Sequence, residues 1–361
     1  AQLVRHYPLG ENFTHVLGYV GRINAADQAE ISSLENNKSN YAATDYIGKL
    51  GIERFYESTL HGQVGSQQVE TNAHGKVLRV LGQTKPQPGV DLHLYLDADL
   101  QQRISTLMGD RRGSVVAIDP RTGGILAMVS TPSYDPNPFV TGISTIDYAK
   151  LRDSIDLPLF NRSLQGQYPP GSTIKPIIGL AGLHYQVITA DSTVPDPGWY
   201  QLPNDDRFYR DWKREGHGHK VNLHDSIAES CDVFFYDLAY QLGVDKIHEF
   251  SSLFGLGVRS GIDSTSERSG LLPSRQWKKA KKLEPWFPGE TLNIGIGQGY
   301  MLATPVQLAV ATATIANRGY RPIPKLVKAF DDNPFNRNPF ERNSLAESDL
   351  ENSAQHDDIS N

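Results

Sequence analysis

The strongest constraint on the fold lies between Gly113 and Ser130. Gly113 to Asp119 is a run of small and β-branched residues, Pro120 to Gly124 is a turn, and Ile125 to Ser130 runs back. Two apolar runs joined by a Pro- and Gly-rich turn form a β-hairpin. Neither run alternates apolar with polar residues. Both faces of the hairpin are therefore expected to be buried, in the middle of a sheet covered by helices. That defines an α+β fold, with helices around an antiparallel sheet.

Bulk properties narrow the function. At 361 residues the chain can build two or three domains and a sizeable core. A net charge of −6 removes the electrostatic case for nucleic-acid binding. The single cysteine, Cys231, excludes an intrachain disulfide. No apolar run approaches the roughly 20 residues that span a bilayer, and no signal peptide opens the sequence.

Three regions follow from the pattern. Residues 1–88 are α+β: a strand is expected over His15 to Ile23, a short helix after Gly48, and strands over Gln67 to Thr71 and Lys76 to Leu81 around the turn Asn72 to Gly75. His6, His15, His61 and His74 lack ligand spacing and read as structural. Thr84 to Gly89 is a linker. Residues 89–330 carry a strand at Asp91 to Leu96, a helix from Asp99 and the hairpin. From Ser172 to Gly319 they read as mostly helical, with helices at Asp225 to Glu229, Val233 to Leu242, Lys246 to Leu253 and Thr304 to Ala316. The turn Gly295 to Gly299 lacks the ending and the βαβ setting of a phosphate loop. Residues 331–361 are rich in Asn, Asp, Glu and Ser and are expected to form a disordered tail or mobile loop.

The chemistry concentrates at Tyr168 to Pro176. Ser172 and Lys175 stand three apart, so a helix starting at Ser172 places both on one face. A helix N-terminus favours developing negative charge, and a partly desolvated amine can take the proton of a serine. A Ser-x-x-Lys pair also arises by chance, so its context decides. Ser230 and Asp232 flank Cys231 between two helical segments and can form a second polar wall. Ser230 can pass a proton between Lys175 and a leaving group; Asp232 can position a substrate amide or the lysine.

Ser-x-x-Lys followed by Ser-x-Asp resembles the signature of penicillin-binding proteins and serine β-lactamases. The stretches Asp119 to Asn137, Asn40 to Thr44, Gly48 to Arg54, Asp196 to Trp199, Gly295 to Tyr300 and Thr304-Pro305 resemble class B penicillin-binding protein 2 of Gram-negative bacteria, the elongation transpeptidase. The resemblance runs from near residue 1 to about residue 328. It implies a transpeptidase domain over 89–330, a partial pedestal over 1–88, and catalytic residues Ser172, Lys175, Ser230 and Asp232. The implied reaction is acyl transfer from the D-Ala-D-Ala end of a peptidoglycan stem peptide, with β-lactams acylating the same serine. A membrane glycosyltransferase and elongation-complex proteins are the implied partners, at the periplasmic face of the inner membrane. The family's third motif, Lys-Ser/Thr-Gly, is absent from the sequence. The chain thus resembles a segment without anchor, without part of the pedestal and without the last strands, and is expected to be weak or inactive alone. A β-lactamase or D,D-carboxypeptidase of the same fold, and a non-catalytic penicillin-recognising or partner-binding module, are the alternatives.

Asp196, Asp211, His217 and Cys231 form a feasible tetrahedral zinc set around the two motifs, with His219 and His224 as alternative ligands. Against it stands a Cys231 that is simply a small buried hydrophobe, with Asp residues capping turns. Some members of the resembled subfamily carry zinc at such positions. A structural zinc would tie the loop from Asp196 to His217 to the Ser230 loop; none is needed for catalysis.

Overall fold

The computed structural model describes residues 5–33, 38–41, 44–74 and 76–330. The tail from Asp331, and Ala42, Ala43 and Gly75, lie outside the described residues. The first region holds α1 (Thr14–Leu17), β1 (Val20–Arg22), α2 (Ala25–Ser33), β2 (Tyr46–Gly48), α3 (Gly51–Phe55) and α4 (Glu57–Leu60). The strand expected over His15 to Ile23 is thus half helix. Gly18, at φ 72°, ends α1, and a Cβ there would lie 1.8 Å from the Leu50 carbonyl oxygen. Only glycine allows that crossing, which the apolar alternation could not reveal. The hairpin of β3 (Ser66–Thr71) and β4 (Val77–Thr84) falls where expected. The linker after it is tied at one point, where Gln63 and Gln87 exchange both backbone hydrogen bonds at 2.9 Å.

Next come β5 (Leu92–Leu94) and α5 (Ala98–Met108). The Asp97 carboxylate accepts the Leu100 N–H at 2.9 Å and so caps α5. The central hairpin is β6 (Gly113–Ile118) antiparallel to β7 (Ile125–Thr131). Only β7 is buried along nearly its whole length; β6 is half-buried throughout. Expecting burial on both faces was therefore right for one strand. Among the described residues the two strands form a sheet of their own, not the middle of a larger one, and the helix that follows β5 covers β7. α5 packs on β7, and the buried Gln101 amide bonds both the N–H and the carbonyl of Met128, at 2.8 and 2.9 Å. Then follow α6 (Asn137–Thr141), α7 (Thr145–Arg152) and α8 (Arg162–Gln165).

α9 (Lys175–His184) starts one turn later than expected, because Gly171–Ile174 form a 3-10 turn first. The stretch after α9 corrects the mostly helical reading at one place. It contains β8 (Val194–Asp196), β9 (Trp199–Gln201), β10 (Phe208–Arg210) and β11 (Gly218–Val221), paired β8 with β11 and β9 with β10. Pro195, Pro197, Gly198, Pro203 and Gly216 break helices, and Gly198 and Gly216 adopt positive φ at close backbone crossings. Next are α10 (Leu223–Ala228) and α11 (Asp232–Leu253). Gly243, at φ 75° and ψ 159°, divides α11 into the two helices the sequence implies. The described chain closes with α12 (Arg275–Lys282), α13 (Pro288–Gly295), α14 (Pro305–Ala316) and β12 (Val327–Phe330). Thr304 and Gln307 form a capping box that starts α14, and β12 pairs antiparallel with β5.

The larger core gathers α9, α11 and α13 around Ile178, Phe234, Phe235, Phe250 and Leu292. Each such side chain contributes roughly 1.5–3 kcal/mol by leaving water. That rigid block carries the two polar motifs on its rim.

Candidate active site

Ser172 is exposed on the 3-10 turn, and the backbone behind it is unusually close to another segment. The Gly171 N–H donates to the Gly297 carbonyl at 2.8 Å. A Cβ on Gly297, at φ 70°, would fall 2.2 Å from the Gly171 oxygen. The glycine-rich turn after α13 is thus a buttress for the serine's turn, not an anion loop. Tyr168 and Ala303 exchange backbone hydrogen bonds at 3.0 and 2.9 Å and hold the approach to that turn.

Lys175 opens α9 with a side chain only 2% exposed. Its ammonium donates to the Asp232 carboxylate at 2.7 Å, the Ser230 carbonyl at 2.8 Å and the Ser230 hydroxyl at 3.1 Å. It also lies 5.5 Å from the centre of the Phe235 ring, an attractive position for a cation. The Ser230 hydroxyl in turn donates to Ser172 Oγ at 2.9 Å. Among the described residues Ser172 therefore reaches Lys175 through Ser230 rather than directly. The structure brings all four sequence-predicted residues into one hydrogen-bonded chain, with Asp232 lying against the lysine. Burial pushes the Asp232 carboxyl above its ordinary range; the Lys175 ammonium opposes this, and the nearby Asp211 carboxylate adds to it.

Ser230 sits between α10 and α11 at φ 57°, an uncommon conformation for a residue with a Cβ. Asp211 and Trp212 flank it from the loop after β10. The Asp211 carboxylate accepts the N–H groups of Asp232 and Val233 at 2.7 and 3.1 Å, at the start of α11. The Trp212 indole N–H is shared between the carbonyls of Glu229 and Ser230 at 3.2 and 3.1 Å. Trp212 and Phe235 were not singled out from the sequence, and Gly297 was noticed only as part of the Gly295 to Gly299 turn, not as a buttress. A single aromatic or glycine has no spacing that marks such a contact.

Asp196, Asp211, His217 and Cys231 converge beside this loop, with one ligand atom of each within 4.8 Å of the others. His217 Nδ1 lies 2.6 Å from the Asp196 carboxylate and 3.8 Å from that of Asp211. Cys231 Sγ is 3.3 Å from Asp196 Oδ2, and burial pushes its thiol far up. The Asp196 carboxyl is held below its usual value; burial opposes this, but bonds from His217, the Gly198 N–H and Cys231 outweigh it. His219 and His224 are exposed, and His224 pairs with its neighbour Asp225. Neither belongs to the cluster.

An exposed serine is thus linked through a second serine to a buried lysine, on helices packed beside an antiparallel sheet, an arrangement that supplies the parts serine acyl transfer requires. Residues 113–356 match the penicillin binding protein transpeptidase domain, and residues 1–94 the penicillin-binding protein dimerisation domain. The chain belongs to the penicillin-binding protein transpeptidase family. It is 50% identical over 323 residues to peptidoglycan D,D-transpeptidase MrdA of Escherichia coli strain K12, covering 90% of this chain and 51% of that protein. The Acinetobacter baumannii enzyme of the same name is 49% identical, over 91% of this chain and 48% of its own. The crystal structure of Pseudomonas aeruginosa PBP2 in complex with WCK 5153 superposes with a TM-score of 0.83 at 52% identity, covering 92% of this chain and 68% of that one. A complex of PBP2 and MreC from Helicobacter pylori matches with a TM-score of 0.83 at 34% identity, over 94% of this chain and 62% of that one. The chain spans about half the length of the curated relatives it matches.

Proposed function

We propose that this chain carries the nucleophile half of a peptidoglycan D,D-transpeptidase. The observation that carries the reading is the hydrogen-bonded chain Ser172–Ser230–Lys175–Asp232. Once its ammonium has given up a proton to solvent, Lys175 keeps two N–H donors for the Ser230 carbonyl and Asp232, and its lone pair faces Ser230 Oγ, whose hydroxyl turns from Ser172 to Lys175. Ser172 Oγ then attacks the penultimate D-Ala carbonyl of a stem peptide, while its proton moves to Ser230 and the Ser230 proton to Lys175. The bond to the terminal D-Ala breaks, and that amine leaves with a proton returned along the same path. An amine from a neighbouring stem peptide attacks the acyl-enzyme, forming the cross-link and freeing Ser172. A β-lactam acylates Ser172 by the same first step.

The relatives' names support this substrate, and one matched structure concerns polymerization and crosslinking by a peptidoglycan synthase complex. The partners of this chain would then be a membrane glycosyltransferase and elongation-complex proteins, at the periplasmic face of the inner membrane. Among the described residues no helix is long and apolar enough to cross a membrane. The test is labelling with a fluorescent penicillin. Label should attach to Ser172 and vanish in Ser172→Ala, and it should attach faster in a chain extended through a Lys-Ser/Thr-Gly strand. No label on either chain would sink the catalytic reading and leave a binding module.

Zinc in the Asp196, Asp211, His217 and Cys231 cluster is the second part of the proposal, and the donor set fits. Zinc bonds of about 2.0–2.3 Å place tetrahedral ligands about 3.3–3.8 Å apart. Two of the separations above already lie there; the His217–Asp196 contact would open by about 0.7 Å to reach that range. Among the described residues, buried His217 Nε2 has no hydrogen-bond partner, with the Glu229 carboxylate 3.9 Å away. A metal-bound histidine commonly directs its second nitrogen to such a group. The metal would supply a structural cross-link, holding the Asp211 loop against the start of α11. Elemental analysis should find about one zinc per chain and a large loss in Cys231→Ser; equal zinc in both would remove Cys231 as a ligand.

A further inference from the structure

We infer that Trp212 is a positioning residue: its indole N–H clamps the Glu229–Ser230 carbonyls and so sets where the Ser230 hydroxyl stands between Ser172 and Lys175. The inference rests on the catalytic reading above and adds a residue to it. Ser230 must be held at φ 57°, which a side-chain-bearing residue adopts only when its surroundings over-determine it. The loop is gripped on both polarities by two consecutive residues. Asp211 accepts the N–H groups that follow the turn, at Asp232 and Val233. Trp212 donates to the carbonyls that precede it, at Glu229 and Ser230. The Ser230 carbonyl also accepts Lys175 Nζ at 2.8 Å, so indole and ammonium share one oxygen. Together they fix the peptide plane after Ser230, and with it the direction of the Ser230 side chain.

Burial does not explain this tryptophan. It is 64% exposed, so little apolar area is gained by keeping it in place. Its ring meets His217 edge-on, at 5.7 Å between centroids, which sets the angle at which the N–H faces the turn. The side chain thus spends its one donor on the catalytic loop while most of its surface stays in water.

Two variants separate donor from ring. Trp212→Phe removes the N–H and part of the ring. Replacing the Trp212 indole with its sulfur isostere, 3-benzothienyl-alanine, keeps the bicyclic shape and removes the N–H alone. Acylation by a fluorescent penicillin is resolved into the non-covalent constant and the acylation rate constant, with zinc content and melting temperature as controls. Both variants should acylate roughly five- to tenfold more slowly, the effect of one lost hydrogen bond, with the non-covalent constant within about twofold. Amide hydrogen exchange over Glu229 to Asp232 should speed up in both. A parent rate in the isostere, or unchanged exchange in both variants, overturns the clamp. If the parent chain takes no label, the catalytic reading fails, and the exchange measurement still decides the clamp.

Discussion

Lys175→Met and Ser172→Ala should both abolish acylation but should differ in stability, and the difference can be worked from the site. Ser172 is exposed and accepts one hydrogen bond from Ser230, so its removal should stay within about 0.5 kcal/mol of the parent. Lys175 is 2% exposed and neutralises Asp232, whose side chain is 16% exposed. Losing one partner of a buried ion pair costs about 3–5 kcal/mol. Partial exposure of Asp232 lets water screen the stranded carboxylate, so about 3 kcal/mol is the working figure. In a chain of this size that lowers the melting temperature by about 4–6 °C. The deficit should depend on pH. The folded-state pKa of Asp232 is already raised above 3.8 by burial, against the pull of Lys175. Without Lys175 it rises further. A raised carboxyl in the folded state costs nothing while both states are protonated, below about 3.8, costs progressively more as pH climbs from there to the shifted value, and levels off above it. The gap between Lys175→Met and Ser172→Ala should therefore be wide at pH 7.5 and narrow at pH 5, in thermal melts followed by circular dichroism. Lys175→Met with Asp232→Leu should recover much of the stability without acylation. Equal melting temperatures at pH 7.5, or a gap indifferent to pH, would refute the claim that Lys175 and Asp232 form a mutually dependent buried pair.

Asp263→Ala should cost more stability than any change at Ser172. The buried Asp263 carboxylate accepts the Leu326 and Val327 N–H groups at 2.6 and 2.9 Å and the Tyr56 hydroxyl at 2.8 Å, and stranding these donors should cost about 3–5 kcal/mol in urea unfolding. Gly297→Ala should slow penicillin labelling by tenfold or more, because its Cβ displaces the turn carrying Ser172, and displacements of about 1 Å cost as much as a hundredfold. Labelling at the parent rate would mean that the buttress yields freely. Ser230→Ala should slow labelling by roughly a hundredfold or more, as expected for losing a proton-transfer group, while zinc content stays unchanged.

What the sequence revealed divides along a physical line. Ser172 and Lys175 were legible because their relation is local: three residues on one turn share a face whatever surrounds them. The hairpin of β6 and β7 was legible for the same reason, since its turn and its apolar runs are adjacent in the chain. The half-burial of β6 was not, because it depends on which strands and helices arrive from elsewhere. Ser230 and Asp232 gave only a weak signal from their place between two helical segments, and resemblance strengthened it; nothing in their spacing says that a lysine 57 residues away from Asp232 will reach them. The strands β8 to β11 were missed because each is three or four residues long, too short for a period to show, although the prolines and glycines between them were visible. Gly297 and Trp212 lie at the far end of this scale. A glycine buttressing another backbone and an indole donating to two carbonyls act across chain crossings that only tertiary structure creates. It follows that the Ser172 and Lys175 pair can be singled out as a candidate from local pattern, whereas the residues that fix its geometry cannot. Substitutions at Gly297 and Trp212 are therefore the sharper trial of the mechanism: loss of Ser172 would end acylation under many mechanisms, but a rate that falls when one remote N–H is removed requires this arrangement.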